Sequence, residues 1–336
     1  MVENINLHRI NDNPILSQPS WVPNWSEPRT THELDESLHA GANSEAEVAF
    51  PIDGVLRVTG CMVGGIDAIE PFELSEPNAR PDTDVEVAME VRRVIQRLSI
   101  PDLLDQRGLK MRSLCRVLLS DRFSELYVPP DQNQVSIEST EQTLRDILTR
   151  PTADFVKDML LSTSSRRILK HIFYYCFGRG LIKLLDGTLG LAYKTARRVD
   201  KVVVWLGCYS AMVVRPFKGV HLQLVGEAYC DGAMDGAAIL GSLPEHLEMV
   251  KRYSEENGVG CIAYLDRKSG IFHIEDPRLS GIPLPHVWRR QTYEDESYDT
   301  LFVNEETGER TTEFDPRLKA EELRKRGVKL EAFDLV

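Results

Sequence analysis

The chain has 336 residues, of which 42% are hydrophobic and 27% charged, an ordinary composition for a globular protein. Its formal net charge is −12, so nucleic acid and anionic membrane surfaces should repel the molecule as a whole. The six cysteines form no CxxC pair, which argues against a zinc ribbon or a disulfide framework. No apolar run approaches the roughly 18 residues of a bilayer span, and the N-terminus lacks signal-peptide features. We therefore expect a cytoplasmic protein with no membrane association, no nucleic-acid partner, no metal and no cofactor.

Residues 1–50 are polar and rich in Pro, Ser and Asn, and they carry the stretch PSWVPNW with Trp21 and Trp25. Because proline fixes φ and biases the preceding residue towards extended geometry, we predict an extended segment. Disordered tails rarely carry two tryptophans, so the two indoles are predicted to clamp this segment onto a surface.

Residues 51–177 are predicted to form a strand pair followed by a helical block. The apolar, glycine-punctuated stretch within 51–70 indicates one or two strands. Capping-box spacing at Thr83/Glu86 and again at Ser139/Gln142 predicts two helix starts, and a third helix is predicted over 164–177. A lone histidine in that third helix, His171, is expected to be structural or exposed.

In residues 178–242 the apolar period changes to that of strands. Short runs of β-branched, aliphatic and aromatic residues are separated by glycine or proline every eight to twelve residues, which is typical of a small antiparallel barrel or meander. KVVVW, at 201–205, should be buried on both faces, and residues 215–219 should form a hairpin connection. The predicted fold class is α+β, with the helical block packed on this β unit.

The tail, residues 243–336, is charged and contains several prolines. We predict a short helix over 243–253 and a strand in GCIAYLD, at 260–266. The sequence DPRL occurs twice, at 276–279 and 315–318, and we assign no repeat architecture to this recurrence alone.

The stretch GEAYCDGAMDGAA, residues 226–238, holds acids and a cysteine among glycines. Its acids do not follow the D-x-D-x-D-G order of a calcium loop, and Cys230 is its only zinc-type ligand. A thiol nucleophile needs a base, and His221 is nine residues away on the same predicted strand. No GxSxG, P-loop, HExxH or dinucleotide fingerprint is present. We interpret the stretch as scaffolding, whose glycines permit positive φ and whose acids cap a turn or a short helix.

Residues 177–238 resemble the region that follows the HET domain in fungal heterokaryon-incompatibility proteins. PSWVPNW is similar to the segment that opens this region. The resemblance identifies a set of signature residues: Gly226, Glu227, Tyr229, Gly232, Met234, Asp235 and Gly236. Further matching positions include Arg179, Asp200 and Arg215. Val199 departs from the usual Gly, and Cys230 with Asp231 replace the usual Val-His.

The resemblance implies a stand-alone C-terminal part of such a protein. Only about eighteen residues precede PSWVPNW, which leaves no room for the HET domain. The sequence is then expected to be either a truncated paralogue or a fragment of a longer protein.

Residues 282–318 resemble a WW domain and predict a β-hairpin tail. The matching positions include Trp288, Phe302, Asn304 and Pro316, which are the candidate interaction residues. Such a domain binds proline-rich peptides on an aromatic groove. Glu313 occupies the place of the second tryptophan of that groove, and a glutamate cannot stack on a proline ring. A structural hairpin is therefore favoured over a domain that binds proline-rich peptides.

Three functions follow from these features. The first is a non-enzymatic interaction protein of the heterokaryon-incompatibility type, acting in self/non-self recognition and cell death, with a protein partner such as a HET-domain protein. The second is a WW-like adaptor for proline-rich partners, or an accessory protein of a fungal biosynthetic gene cluster without a catalytic role. The third is an enzyme using Cys230 with His221, or the pair Asp231 and Asp235.

Overall fold

The computed structural model describes residues 19–22, 31–32, 34, 38–75, 83–105, 108–253, 260–291 and 300–336. The fold is mixed α+β, as the sequence predicts. None of the described helices is both long and apolar enough to cross a membrane. All six cysteines lie in the described part of the chain, and no disulfide joins any two of them.

Seven helices occur among the described residues. They are α1 (Thr83–Leu98), α2 (Leu109–Leu119), α3 (Ile137–Thr149), α4 (Thr152–Leu161), α5 (Thr163–Cys176), α6 (Ala237–Leu240) and α7 (Ala320–Lys325). The first five form the predicted helical block, in which α2 and α4 were not anticipated. The apolar stripe predicted for α1 is confirmed, because its members Val87, Val91, Val94, Ile95 and Leu98 are all buried.

The two later helix starts differ slightly from their predictions. Helix α3 begins one turn earlier than predicted: Ser136 is its N-cap and accepts a hydrogen bond from the amide of Ser139. Ser139 therefore belongs to the first turn instead of preceding it. The helix predicted over 164–177 is α5, capped by Ser162, whose hydroxyl accepts from the amide of Ser165.

Fifteen strands are described. They are β1 (Val48–Ala49), β2 (Leu56–Pro71), β3 (Tyr127–Val128), β4 (Arg179–Leu184), β5 (Leu189–Tyr193), β6 (Lys201–Trp205), β7 (Ala211–Phe217), β8 (His221–Cys230), β9 (Leu247–Tyr253), β10 (Gly260–Asp266), β11 (Phe272–His273), β12 (Trp288–Gln291), β13 (Leu301–Asn304), β14 (Arg310–Thr311) and β15 (Glu331–Leu335).

A barrel-like sheet contains the predicted β unit. Its antiparallel pairing runs from β2 through β4, β5, β8 and β7 to β6, and β6 pairs back with β2. The 16-residue strand β2 makes both contacts because residues 66–71 pair with β4 and residues 60–65 pair with β6. β1 and β15 also pair with β2, and β15 touches β8 through Leu335 and Leu222. The sheet thus includes strands from outside residues 178–242.

The core is divided into two apolar clusters by the walls of this sheet. In β6, Val202 and Val204 belong to the larger cluster, which includes the helical block, while Val203 and Trp205 belong to the smaller one. The prediction that KVVVW is buried on both faces is confirmed. The β7–β8 reversal lies at residues 218–220, slightly later than the predicted 215–219 connection.

The N-terminal segment contacts the barrel-like sheet at residues 19–22. Trp21 packs against the smaller cluster, and its indole N–H donates to the carbonyl of Gly54 at 3.3 Å. The hydroxyl of Ser20 accepts from the amide of Leu224 and donates to the carbonyl of Val336. Trp25, the other predicted anchor, lies outside the described residues.

The predicted helix over 243–253 is wrong. Residues 247–253 form β9, which pairs antiparallel with β10 and parallel with β3. GCIAYLD is a strand, β10, as predicted. A second small sheet follows, in which β12, β13 and β14 pair antiparallel in chain order. This sheet lies within the WW-like segment, of which residues 292–299 are outside the described part.

Candidate functional site

The segment that follows β8 contains the signature residues and is held tightly within the fold. β8 ends at Cys230, a turn covers residues 231–235, and α6 begins at Ala237. Gly236 has φ +83°, and a Cβ at this position would lie 2.6 Å from Cβ of Ala42. The Asp235 carboxylate accepts a hydrogen bond from the Ala237 amide at 3.1 Å. The glycine and the capping acid therefore act as the sequence predicts.

Glu227 is part of a buried polar network. Its Oε1 accepts hydrogen bonds from the Arg179 guanidinium at 2.5 Å and from the amide of Leu34 at 3.1 Å. The Arg179 side chain is fully buried, and it also donates to the carbonyls of Tyr175 and His32. This network joins β8 and β4 to α5 and to the N-terminal segment. Removing Glu227 would leave the fully buried Arg179 guanidinium without its carboxylate partner, so Arg179 depends on Glu227.

Two further matching positions form a second buried ion pair. The Arg215 guanidinium contacts both carboxylate oxygens of Asp200, at 2.9 and 3.0 Å. Asp200 also accepts the amide of Arg197, and Arg215 also donates to the carbonyl of Thr195. Such bidentate pairs fix geometry, and this one fastens the loop before β6 to β7.

The Cys230 thiol is poorly suited to nucleophilic chemistry. Burial, reinforced by the charges of Asp231 and Asp186, raises its pKa to about 12, so it is protonated near neutral pH. His221 is at the other end of the same strand, about 30 Å away at roughly 3.3 Å per residue. The structure does not bring this predicted pair together.

Asp231 and Asp235 face different partners. Burial raises the pKa of Asp231, opposed by a hydrogen bond from Ser113 and by the charge of Arg116. Burial also raises the pKa of Asp235, opposed by the charge of Arg278. The negative charge of Asp121 raises the pKa of both carboxyls, so Asp121 is an acidic group that Asp231 and Asp235 have in common. Within the described ranges, no three His, Cys, Asp or Glu side chains are arranged to hold a metal ion.

Residues far away in the sequence hold the signature segment from two sides. The amide of His39 donates to the carbonyl of Met234 at 2.8 Å. From the tail, the Arg278 guanidinium donates to the carbonyls of Asp235 at 2.6 Å and Gly241 at 2.7 Å. Sequence reasoning missed His39 and Arg278, although the repeated DPRL, which contains Arg278, was a visible signal.

The candidate interaction residues of the tail, Trp288, Phe302, Asn304 and Pro316, are all buried. The Trp288 ring packs edge-on against Phe314, and the Asn304 side chain accepts amides of the following turn. In this structure these side chains stabilise the small sheet.

A cleft of about 550 Å³ lies elsewhere, against the first turns of α3 and α5. Most of the residues that line it have polar side chains, and none of them is a signature residue. Among the lining residues are Ser124, Asp131, Ser136, Thr163 and Arg167.

Comparison with known protein families finds a match within the chain. Residues 133–245 are similar to the Het-6 beta-barrel domain family. The matched range contains α3, α4, α5 and strands β4–β8, and it includes all the signature residues. This match covers about a third of the chain, and it fits the resemblance to fungal heterokaryon-incompatibility proteins. No curated protein and no solved structure matches the chain.

Proposed function

We propose that the protein is a non-enzymatic interaction protein of the fungal heterokaryon-incompatibility type. It acts in the cytoplasm, in self/non-self recognition and the programmed cell death associated with it. The observation that carries the proposal is the match of residues 133–245 to the Het-6 beta-barrel domain, because the signature 226–236 lies wholly inside it. The step from this domain to a biological role is by analogy.

The contacts of the side chains in residues 226–236 support a binding role over a catalytic one. Glu227 is occupied by Arg179 and a backbone amide, and Asp235 accepts the amide of Ala237 in the turn before α6. Cys230 is fully buried, with its pKa raised to about 12. Because these groups are engaged in holding the fold, function is assigned to the outer surface that the scaffold presents.

The proposed partner is a protein that bears a HET domain. Co-expression of the two in a fungal host tests this, with co-purification and cell death as the two measurements. We expect a stable complex and a change in cell death. Absence of both with every HET-domain protein of the host would contradict the proposal.

A pair of variants separates the binding role from catalysis. Cys230→Ser and Asp231→Asn remove the candidate reactive groups with little change in volume, and both should retain complex formation and the cell-death effect. The melting temperature of each variant serves as the folding control. A folded Cys230→Ser protein that binds its partner but no longer affects cell death would instead favour an enzyme.

The adaptor hypothesis for residues 282–318 stays a prediction and has a separate test. An array of proline-rich peptides probed with the wild-type protein and with Glu313→Trp measures it. Glu313 is exposed and occupies the place of the groove tryptophan, so this variant adds an aromatic surface without disturbing the interior. A negligible signal from the wild-type protein would remove the hypothesis, whether or not the variant binds.

A further inference from the structure

The tail contains two sets of three antiparallel strands that follow one another in the chain, and β3 adds a fourth strand to the first set. We name them unit I, residues 243–279, and unit II, residues 284–318. Unit I contains β9, β10 and β11, and unit II contains β12, β13 and β14, each set paired antiparallel in chain order. Residues 254–259 and 292–299, between the first two strands of each unit, lie outside the described part.

The first strands of the two units begin in the same way. Each is preceded by Leu-Pro, and the amide of the first strand residue donates to the carbonyl of that proline at 2.8 Å. Leu247 occupies this position in unit I and Trp288 in unit II. Each also pairs with the last residue of the second strand, Asp266 or Asn304.

The turns between the second and third strands have the same bonds. The side chain of Asp266 or Asn304 accepts the amides two and three residues later, and a glycine with φ near +70° ends each turn. Three amide-to-carbonyl hydrogen bonds also match between the units. The amide of the turn glycine donates to the carbonyl of Asp266 (from Gly270, 2.7 Å) or Asn304 (from Gly308, 2.9 Å). The other two matched pairs are Asp266 to Ile271 and Asn304 to Glu309, at 2.9 Å each, and Arg267 to His246 and Glu305 to Val287, at 2.8 Å each.

Both units end in the sequence DPRL, which makes the same hydrogen bonds in each. The aspartate caps a short 3₁₀ turn, and the arginine two residues later folds back onto the same carboxylate. In both Asp276–Arg278 and Asp315–Arg317, the aspartate Oδ1 accepts two hydrogen bonds from the arginine. One comes from the arginine backbone amide at 2.9 Å and the other from its Nε at 3.0 Å. The final leucine is buried in the larger core cluster in both cases. We call this arrangement the Asp-Pro-Arg clip.

Each clip reaches into the structure that precedes its own unit. In unit I, Arg278 donates to the carbonyls of Asp235 and Gly241, on either side of α6. In unit II, Arg317 donates to the carbonyls of Leu279 and Ile282, at 3.2 and 3.4 Å, and pairs with a unit I acid, Glu275. Charged donors to backbone carbonyls are among the stronger hydrogen bonds of a folded chain.

We propose that residues 243–318 are two copies of one docking module, each of which uses its Asp-Pro-Arg clip to bind backbone carbonyls of the module before it. Unit I binds the signature segment of the barrel-like sheet, and unit II binds unit I. The binding surface of each clip is a loop whose carbonyls are free of strand pairing. The two units are equivalent because they make hydrogen bonds at corresponding positions, even where the residue types differ between the units.

Hydrogen exchange of the full chain tests the docking order. Arg278→Lys keeps the charge but loses the planar fork, so amide exchange at residues 237–241 should become at least tenfold faster, while that of β6 and β7 is unchanged. Arg317→Lys should act in the same way on residues 279–282. The matched control is Arg289→Lys, an exposed arginine of unit II paired only with Glu305 among the described contacts, which should change neither region.

Two outcomes would overturn docking by the clips. One is unchanged exchange at 237–241 in Arg278→Lys, and the other is faster exchange there in Arg317→Lys alone. If Arg278→Lys does not fold, Asp276→Asn gives the milder test, since it keeps the acceptor oxygen and removes the charge that holds the arginine in place.

A turn exchange tests the duplication itself. Replacing the unit II turn by that of unit I, through Asn304→Asp, Glu305→Arg, Glu306→Lys and Thr307→Ser, is combined with Arg289→Glu, so that the Arg289–Glu305 pair is reversed to match the Arg267–Glu248 pair of unit I. The melting temperature should stay within about 2 °C, because an exposed ion pair is worth little in either direction. Moving the glycine by one position, through Thr307→Gly and Gly308→Thr, should disrupt unit II, as the positive φ then falls on threonine. A turn exchange as disruptive as the glycine shift would contradict the equivalence.

Discussion

Two glycines of the signature segment have the same left-handed backbone conformation but different surroundings. Gly232 has φ +75° with open space where a Cβ would lie, whereas Gly236 has φ +83° and lies against Ala42. Gly232→Ala should cost about 1–2 kcal/mol of unfolding free energy, from backbone strain alone. Gly236→Ala should cost a further ~1–3 kcal/mol, because the added methyl has no room. Urea denaturation of both variants measures the difference, and equal losses would show that Ala42 moves away freely.

His39 links the acid stability of the fold to the signature segment. Burial, with a smaller opposing effect of Asp276, lowers its pKa to about 4, against 6.5 in the unfolded chain. Below pH 6.5 the unfolded state takes up a proton that the folded state does not, so stability present above pH 6.5 is lost as pH falls towards 4. The loss from this residue should be on the order of 3 kcal/mol.

Denaturation of His39→Gln at pH 7 and at pH 4.5 checks the contribution of His39. The variant should lose less stability than the wild type between the two values, while His286→Gln, at an exposed position, keeps the wild-type difference. The His39→Gln variant should keep some pH dependence, because the pKa values of His171 and His32 are also lowered by burial. An unchanged pH dependence in His39→Gln would show that His39 titrates normally.

At the scale of elements, the start of α5 allows a matched test of helix capping. Ser162 accepts the amide of Ser165, whereas Ser164 is exposed in the first turn. Ser162→Ala should cost about 1 kcal/mol through the lost cap, and Ser164→Ala should be neutral or slightly stabilising. Thermal melts of the two variants distinguish these outcomes, and a neutral Ser162→Ala would mean that another group replaces the cap.

Strand β9 shows why an element can be assigned wrongly from sequence. Its residues carry no strict alternation, so a helical period fits them equally well. The strand forms because β10 and β3 pair with its two edges. Between β9 and β3, the Lys251 ammonium lies 5.0 Å from the centre of the Tyr127 ring. Lys251 is buried there, which local propensity does not anticipate.

For the whole molecule, the sequence predicts those helices and strands whose pattern of apolar and turn residues lies within the element itself. Strands β4 to β8 followed from short apolar runs between turn residues, and the stripe of α1 followed from its period. β15 could not be recognised, since EAFDL reads as part of a charged tail and its partners are in β2 and β8. The signature segment was located from its glycines, but His39 and Arg278, which hold it, come from positions that spacing does not relate to it.

The pairing of β15 with β2 also has a consequence for biosynthesis. Val58 and Phe333 are partners in the sheet, yet they are 275 residues apart. At roughly 5–20 residues per second, a ribosome needs about 15–55 s to add that length, during which residues 56–60 have one edge uncovered. Unpaired strand edges attract other chains, so the nascent polypeptide is expected to be prone to association through residues 56–60 until β15 emerges.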